Sequence, residues 1–335
     1  MARHFLLTKA ARTLPLSRVL RMREDAAYNW FKKARWPETG GEPYCPRCGC
    51  VGAWTLTRRR FKCREKTCRS EFSVTSGTIF ASRKLSFVKI LAVVALSVNA
   101  VKGKAALQVA REVDIDYKTA WVMLHKLREA VAAERSSMKL SGTVEMDGMY
   151  IGGHVKPENR KEDRVDRRLA ENQNGKRQCV MALRQRRGRT LATVVAGEHA
   201  DVAWDIVRRH VRGPAELVAD EARGYDELVG LFPMVRNNHS EAYVVEPGAS
   251  TNQAESFFSR VRRSAIGVHH RCAGRYLDWY VADLAWREDM REKDMATLAK
   301  DILFRALAHP VSRNIKGYWQ GNKPPSTLGW DLQVA

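Results

Sequence analysis

The period of the apolar residues changes along the 335-residue chain, and each change marks a segment. Residues 24–34 carry a short helical pattern that ends at Trp36-Pro37. With the basic leader before it, this makes a first segment, 1–40. From 41 to 80 the helical period fades and Cys, Gly, Arg and Thr accumulate, which predicts short strands and knuckle turns. Lys84 to Val101 is apolar almost throughout and predicts a buried helix. Ala105 to Arg111 predicts a second helix, and Asp114 and Asp116 a break. Tyr117 to Ala133 predicts a third helix, with Ala120, Met123, Leu124, Leu127 and Val131 at spacings of three and four. Two short helices joined by a tight polar turn form a helix-turn-helix pattern, within a helical segment 81–140.

A polar linker at 135–142 precedes a change to strand-like runs: Thr143 to Ile151, Gln178 to Leu183 and Thr190 to Ala196. A helix is predicted from Asp201 to Val211, then a short buried strand, Glu216 to Ala219, ending at Asp220. Three strands, helix, strand, helix is the order of a mixed α/β sheet. Arg160 to Arg189 is strongly basic and interrupts the first strands, as a long loop would. Ser250 with Gln253 resembles a capping box, opening a helix whose buried stripe is Ala254, Phe257, Phe258 and Val261. Arg275 to Leu307 reads as helical. These elements define a domain at 141–310, followed by a poorly ordered tail, 311–335, that contains Pro324-Pro325.

Charge narrows the partners. Against 37 Asp+Glu stand 58 Lys+Arg, a net charge of +21. Such a surplus favours a polyanion, with nucleic acid first and an anionic membrane surface second. The longest apolar stretch, Ile90 to Val98, is about half of the ~20 residues a membrane-spanning helix needs. The apolar Phe5-Leu6-Leu7 is too short for a secretory core. The expectation is a cytoplasmic, nucleoid-associated protein without a membrane partner.

Two features carry chemistry. Cys45-Pro-Arg-Cys48 is a CxxC knuckle, and Cys63 and Cys68 form a second pair with four residues between them. Four thiolates at such gaps suit a closed tetrahedral Zn²⁺ site of structural type, and a reducing compartment favours ligation over disulfides. Gly49 stands where a knuckle commonly needs positive φ. Cys50 remains an alternative ligand, and Cys179 and Cys272 read as packing residues. Arg58, Arg59, Arg60 and Lys62, on or beside the hairpin between the pairs, either contact phosphates or form a solvated face.

The second feature is acidic. Asp147 sits in Val144-Glu145-Met146-Asp147-Gly148, where alternation puts Glu145 and Asp147 on one side. Asp220 ends a buried strand, where α/β sites usually form. Glu255 borders the apolar stripe of its helix, and Arg262, seven residues on, points the same way. Three carboxylates converging from two strands and a helix can hold two Mg²⁺ (or Mn²⁺) ions for phosphodiester displacement. Taken singly, each acid has an ordinary alternative: a solvated strand residue, a helix cap, a surface ion pair.

The spacing adds to this. Between Asp220 and Glu255 lie 34 residues, with a basic residue seven after the Glu. That resembles the DDE signature of bacterial transposases and retroviral integrases. More specifically, the chain resembles the zinc-ribbon insertion-sequence DDE transposases related to the eukaryotic Merlin elements. The matching residues are Arg35-Trp36-Pro37 before Cys45-Pro-Arg-Cys48-Gly49, the run Phe72 to Phe80, Thr119-Ala120-Trp121 and Leu124 to Arg128. Further on they are Asp147 with Tyr150-Ile151-Gly152-Gly153, Asn238-His239-Ser240, Thr251-Asn252, Glu255-Ser256-Phe257 and Gly267-Val268-His269-His270.

The resemblance implies a ribonuclease H-like catalytic domain that uses Asp147, Asp220 and Glu255 as Mg²⁺ ligands. It implies that Arg262 contacts substrate phosphate, and that a zinc ribbon and helical segment bind double-stranded DNA at the element's terminal inverted repeats. Cleavage and joining would follow, by a homodimer or higher oligomer on DNA. Arg187, Arg189, Arg260 and Arg263 join the ribbon's basic residues as expected phosphate contacts. Three departures stand out. Gly148 replaces an acid that often follows the first Asp. Four residues rather than two separate the second cysteine pair. Asn252 rivals Glu255, since some relatives use Asn there. His239, His269 and His270 either touch the site or pack. Two other functions stay open: a non-catalytic DNA-binding regulator, and a nuclease that cuts without joining.

Overall fold

The computed structural model describes residues 5–153, 158, 160–165, 177–220, 222–237, 251–270, 272, 274–315 and 317–321. They fall into two compact units, one made of 5–133 with 290–321 and the other of Glu134–Asp289.

In the first unit, helices α1 (Leu16–Leu20) and α2 (Glu24–Arg35) lead into three short antiparallel strands, β1 (Ala53–Leu56), β2 (Arg60–Cys63) and β3 (Glu71–Ser73). This ribbon has little apolar mass. Its core is an aromatic cluster in which the buried Trp36 meets Tyr44, Phe61 and Phe72 at centroid distances of 6.3, 5.7 and 6.3 Å.

Next comes α3 (Phe87–Asn99), buried nearly all round and therefore central. The Ser86 hydroxyl caps it by accepting from Lys89 N–H, and the Glu24 carboxylate accepts from Phe87 and Val88 N–H. Then follow α4 (Ala106–Val113) and α5 (Tyr117–Ala133). Asp114 closes α4 in the left-handed conformation, and the Asp116 carboxylate accepts from Lys118 and Thr119 N–H at the start of α5. The two helices pack on each other, as the helix-turn-helix pattern predicts.

The second unit is a five-stranded mixed sheet. In chain order it contains β4 (Leu140–Gly152), β5 (Arg177–Gln185), β6 (Thr190–Val195), helix α6 (Ala200–His210), β7 (Val211–Asp220), β8 (Met234–Asn237), and helices α7 (Asn252–Gly267) and α8 (Leu277–Asp289). The sheet order is β6-β5-β4-β7-β8; β4, β5 and β6 form an antiparallel meander, and β7 and β8 join parallel to β4 and β7 respectively. This is a ribonuclease H-like fold. Alternation divides β4 between two cores. Val144 and Met146 face α6 and the 3-10 turn Arg223–Gly230, while Met149 faces α7 and α8.

Several sequence expectations are revised. Leu140 already lies in β4, so the supposed linker 135–142 is largely structured, opening with the 3-10 turn Glu134–Ser137. The strand ending at Asp220 starts directly after α6, at Val211. β8 is not predicted by the sequence, because four residues are too few to display a period. The run Arg275–Leu307 is two helices broken at 290–294. The second, α9 (Met295–Ala308), packs on α2, α3 and α5 and belongs to the first unit, whereas the expected domain range ran to 310. Within the expected tail, Ser312 and Ile315 are buried. Pro324-Pro325, Asn238-His239-Ser240, Ser250 and residues 166–176 of the basic stretch lie outside the described residues, and 177–185 of that stretch are strand β5 rather than loop.

Candidate active site and metal centre

The ribbon brings the sulfurs of Cys45, Cys48, Cys63 and Cys68 within 4.8 Å of one another. Cys45 and Cys68 approach to 3.8 Å, Cys48 and Cys63 to 3.5 Å. Four sulfurs placed tetrahedrally about ~2.3 Å from a Zn²⁺ would be about 3.8 Å apart, so the cage fits that ion. Gly49 takes φ 74° at the first knuckle. Cys50 turns away, its thiol towards the carbonyl of Val51. Burial opposes ionisation of Cys45, but the N–H groups of Cys48 and Arg47 and the neighbouring thiols outweigh it and bring the thiol down to about 7. The thiols of Cys48, Cys63 and Cys68 are shifted up instead, so Cys45 is the first of the four to ionise.

The acids meet in the second unit. β4 and β7 run parallel with Met146 opposite Ala219, so one further residue along each strand sets Asp147 beside Asp220. Both strands advance towards the same end of the sheet. Glu255 stands exposed on the first turn of α7, which packs over β4. Burial pushes the Asp147 carboxyl up to about 7; the Gly148 N–H opposes this, and the charges of Asp220, Glu198 and Glu255 add to it. The three acids are thus close enough to repel one another. They are spaced more widely than the cysteines: among the described residues, the cysteine cluster alone has three or more ligand atoms all within 4.8 Å.

Two further acids were not singled out from sequence as functional. Glu198, between β6 and α6, acts on Asp147, and its own carboxyl is raised by burial and by Asp220. Glu145 is fully buried and ties β4 to α7. It accepts from the N–H groups of Gln253 (2.8 Å) and Ala254 (3.2 Å), and from Arg186 Nε (2.9 Å). A carboxylate at a helix N-terminus is stabilised by the free N–H groups and the dipole. The alternation noted in the sequence could have flagged Glu145. No sequence signal marks Glu198.

The expected DNA contacts divide. Arg59 pairs with Asp25 at 2.7 Å and Glu24 at 3.6 Å and lies over Tyr28; Arg60 pairs with Glu71 at 3.0 Å. Arg189 pairs with Glu134 at 2.9 Å, and Arg260 with Glu288. Arg187, Arg262 and Arg263 are exposed; Arg58 and Lys62 lie on the ribbon hairpin. His269 packs against Tyr280 with ring centroids 4.6 Å apart.

Comparison with known families follows the same division. A transposase zinc-ribbon domain matches residues 22–71, covering α2 and the four cysteines. An ISXO2-like transposase domain matches 139–289, from β4 through α8. The chain belongs to the zinc-ribbon DDE transposases of insertion sequences. No curated protein matches it. The transposase therefore works on DNA and carries a structural zinc in its ribbon. Among its described residues, no helix is long and apolar enough to cross a membrane.

Proposed function

We propose that this transposase binds the terminal inverted repeats of its element, cleaves their 3′ ends and joins them to target DNA. The observation that carries the reading is the approach of Asp147, Asp220 and Glu255 at one end of a ribonuclease H-like sheet, inside a transposase domain. These residues would hold Mg²⁺ or Mn²⁺. Bound there, the ions would supply charge neutralisation and activation of the attacking oxygen in phosphodiester displacement.

The chain itself contributes placement. β4 and β7 hold two acids at fixed register, and Glu145 anchors the helix carrying the third. Arg262, exposed two turns beyond Glu255, reaches for substrate phosphate, with Arg187 and Arg263 as further contacts. The ribbon and the α4–α5 pair recognise the ends. Joining two ends takes two active sites, so the working form is a homodimer or higher oligomer on DNA.

An in vitro cleavage and strand-transfer assay with the element's own ends tests this. Asp147→Asn, Asp220→Asn and Glu255→Gln each abolish cleavage and joining and leave end binding intact. Wild-type protein that cuts without joining would be a nuclease, and one that only binds would be a regulator. Substantial cleavage by Glu255→Gln, with Asn252→Asp inactive, would move the third position to Asn252.

A further inference from the structure

Glu198 lies in the turn between β6 and α6, on the α6 side of the sheet. Gly148 follows Asp147 on β4, and alternation turns its vacant side-chain position to that same side. A Cβ built on Gly148 would stand 1.8 Å from Glu198 Oε1 and 2.3 Å from its Cδ. The Glu198 carboxylate therefore occupies the space that a side chain at position 148 would fill. A second glycine holds its backbone: a Cβ on Gly224 would come within 2.4 Å of the Glu198 carbonyl oxygen. That close approach seats the turn Arg223–Gly230 against Glu198 and brings in Tyr225.

Tyr225 supplies an independent observation. Its side chain is wholly buried, and its hydroxyl has no hydrogen-bond partner among the described residues. Burial raises its pKa and the carboxylates of Glu198, Asp147 and Asp220 add to that, so the phenol lies near the acids, and none of them accepts from it. Leaving a buried hydroxyl unpaired costs about 1–3 kcal/mol. A hydrated cation between the acids would remove that cost, because Mg²⁺ keeps several of its waters and a water held there reaches the phenol.

We propose that Glu198 is a fourth carboxylate ligand of the cation site, seated in the space left by Gly148, with the Tyr225 hydroxyl directed at the ion's water shell. The assignment rests on the catalytic reading above. It gives Gly148 a reason: only glycine at that position leaves room for the Glu198 carboxylate.

The test uses the full-length, zinc-loaded chain, with Mn²⁺ as the probe. Calorimetric titration gives affinity, and thermal unfolding with and without Mn²⁺ gives an independent readout. Glu198→Gln is expected to weaken Mn²⁺ binding about tenfold or more. Its metal-free melting temperature should be unchanged or higher, because one repelling charge is gone. Gly148→Ala should weaken binding similarly with all acids present, since its methyl group evicts the carboxylate. It also decides the matter should Glu198→Gln fail to fold. Asp147→Asn is the reference. If it loses Mn²⁺ while the Glu198 and Gly148 variants bind like wild type, Glu198 is not a ligand and the catalytic reading stands. If all three bind like wild type, both fall. A lower metal-free melting temperature for Glu198→Gln, with an undiminished shift on adding Mn²⁺, would make Glu198 structural and overturn the assignment.

Discussion

The cysteine cluster and the carboxylate cluster are both groups of like ligands, yet they are assembled in opposite ways. The four sulfurs come from two knuckles of one small ribbon and close to within 4.8 Å. The segment that holds them is little more than a hairpin around Trp36, Phe61 and Phe72. The carboxylates come from two strands and a helix of a full α/β core, and they stay further apart. In the ribbon the metal holds the protein together. In the second unit the protein holds the acids together, against the burial, and after it the mutual repulsion, that bring Asp147 to about 7. Losing a ligand should therefore have opposite consequences for stability in the two places.

The largest effect is expected in the ribbon. A structural zinc in so small a fold is worth about 10–16 kcal/mol of binding free energy. Cys63→Ser should release the zinc, measured as the loss of about one equivalent per chain. It should also open residues 41–73 to protease and weaken end recognition while the second unit stays folded. Zinc retained at one equivalent would break the contrast, as would a second unit that unfolds with the ribbon.

Next comes the scaffold under the acids. Removing Glu145 takes away the acceptor of the Gln253 and Ala254 N–H groups and one partner of the Arg186 guanidinium. Breaking a buried charged pair in this way costs about 3–5 kcal/mol. Denaturant unfolding of Glu145→Ala should show that loss with zinc content unchanged, and cleavage should fall because α7 carries Glu255. Wild-type stability would mean that α7 needs no anchor on β4.

The Asp147 effect is smaller and has the other sign. In the unfolded chain this carboxyl ionises near 3.8, and in the fold near 7. Between those values the folded state keeps a proton that the unfolded state has lost, so stability falls as pH rises through this window. Without added Mg²⁺ or Mn²⁺, Asp147→Asn should melt several degrees higher than wild type at pH 8, since a rise from 3.8 to about 7 corresponds to at most about 4 kcal/mol and each kcal/mol to roughly 2–4 °C. The difference should shrink as pH falls from 7 towards 4. A lower melting temperature at pH 8 would mean that the fold does not disfavour the ionised Asp147.

The smallest effect separates two neighbouring arginines. Arg187 is exposed in the turn between β5 and β6, whereas Arg189 is already paired with Glu134. If Arg187 meets a phosphate, Arg187→Ala should flatten the dependence of log K on log salt by about 0.9, on end and random duplexes alike. Arg189→Ala should flatten it less. Equal effects would mean that the Glu134 pair opens on DNA, and an unchanged slope for both would take this turn off the binding surface.

Sequence alone determined what depends on near neighbours and on period. The four ribbon cysteines were legible because knuckle ligands are only a few residues apart, and the cage closes on them without Cys50. Helices α2 to α6 were legible from apolar spacing, and so was the order of strands that makes the sheet mixed. Asp147, Asp220 and Glu255 were singled out by spacing, and the register of β4 with β7 sets the first two side by side. The aromatic residues of the matched motifs, Trp36, Phe72 and Phe80, proved to be buried core.

Only the tertiary structure decided which charges have partners. Composition counted Arg59, Arg60, Arg189 and Arg260 with the surplus, but each is opposed by a carboxylate from another element, or from another strand of the ribbon, and no sequence period encodes such a pairing. Likewise, an apolar stripe says that α9 is buried without saying against what, and its partners are helices from the opposite end of the chain. Glu145 and Glu198 became visible for the same reason. A carboxylate's role depends on the N–H groups, acids and vacant glycine positions around it, and those come together only when distant segments pack.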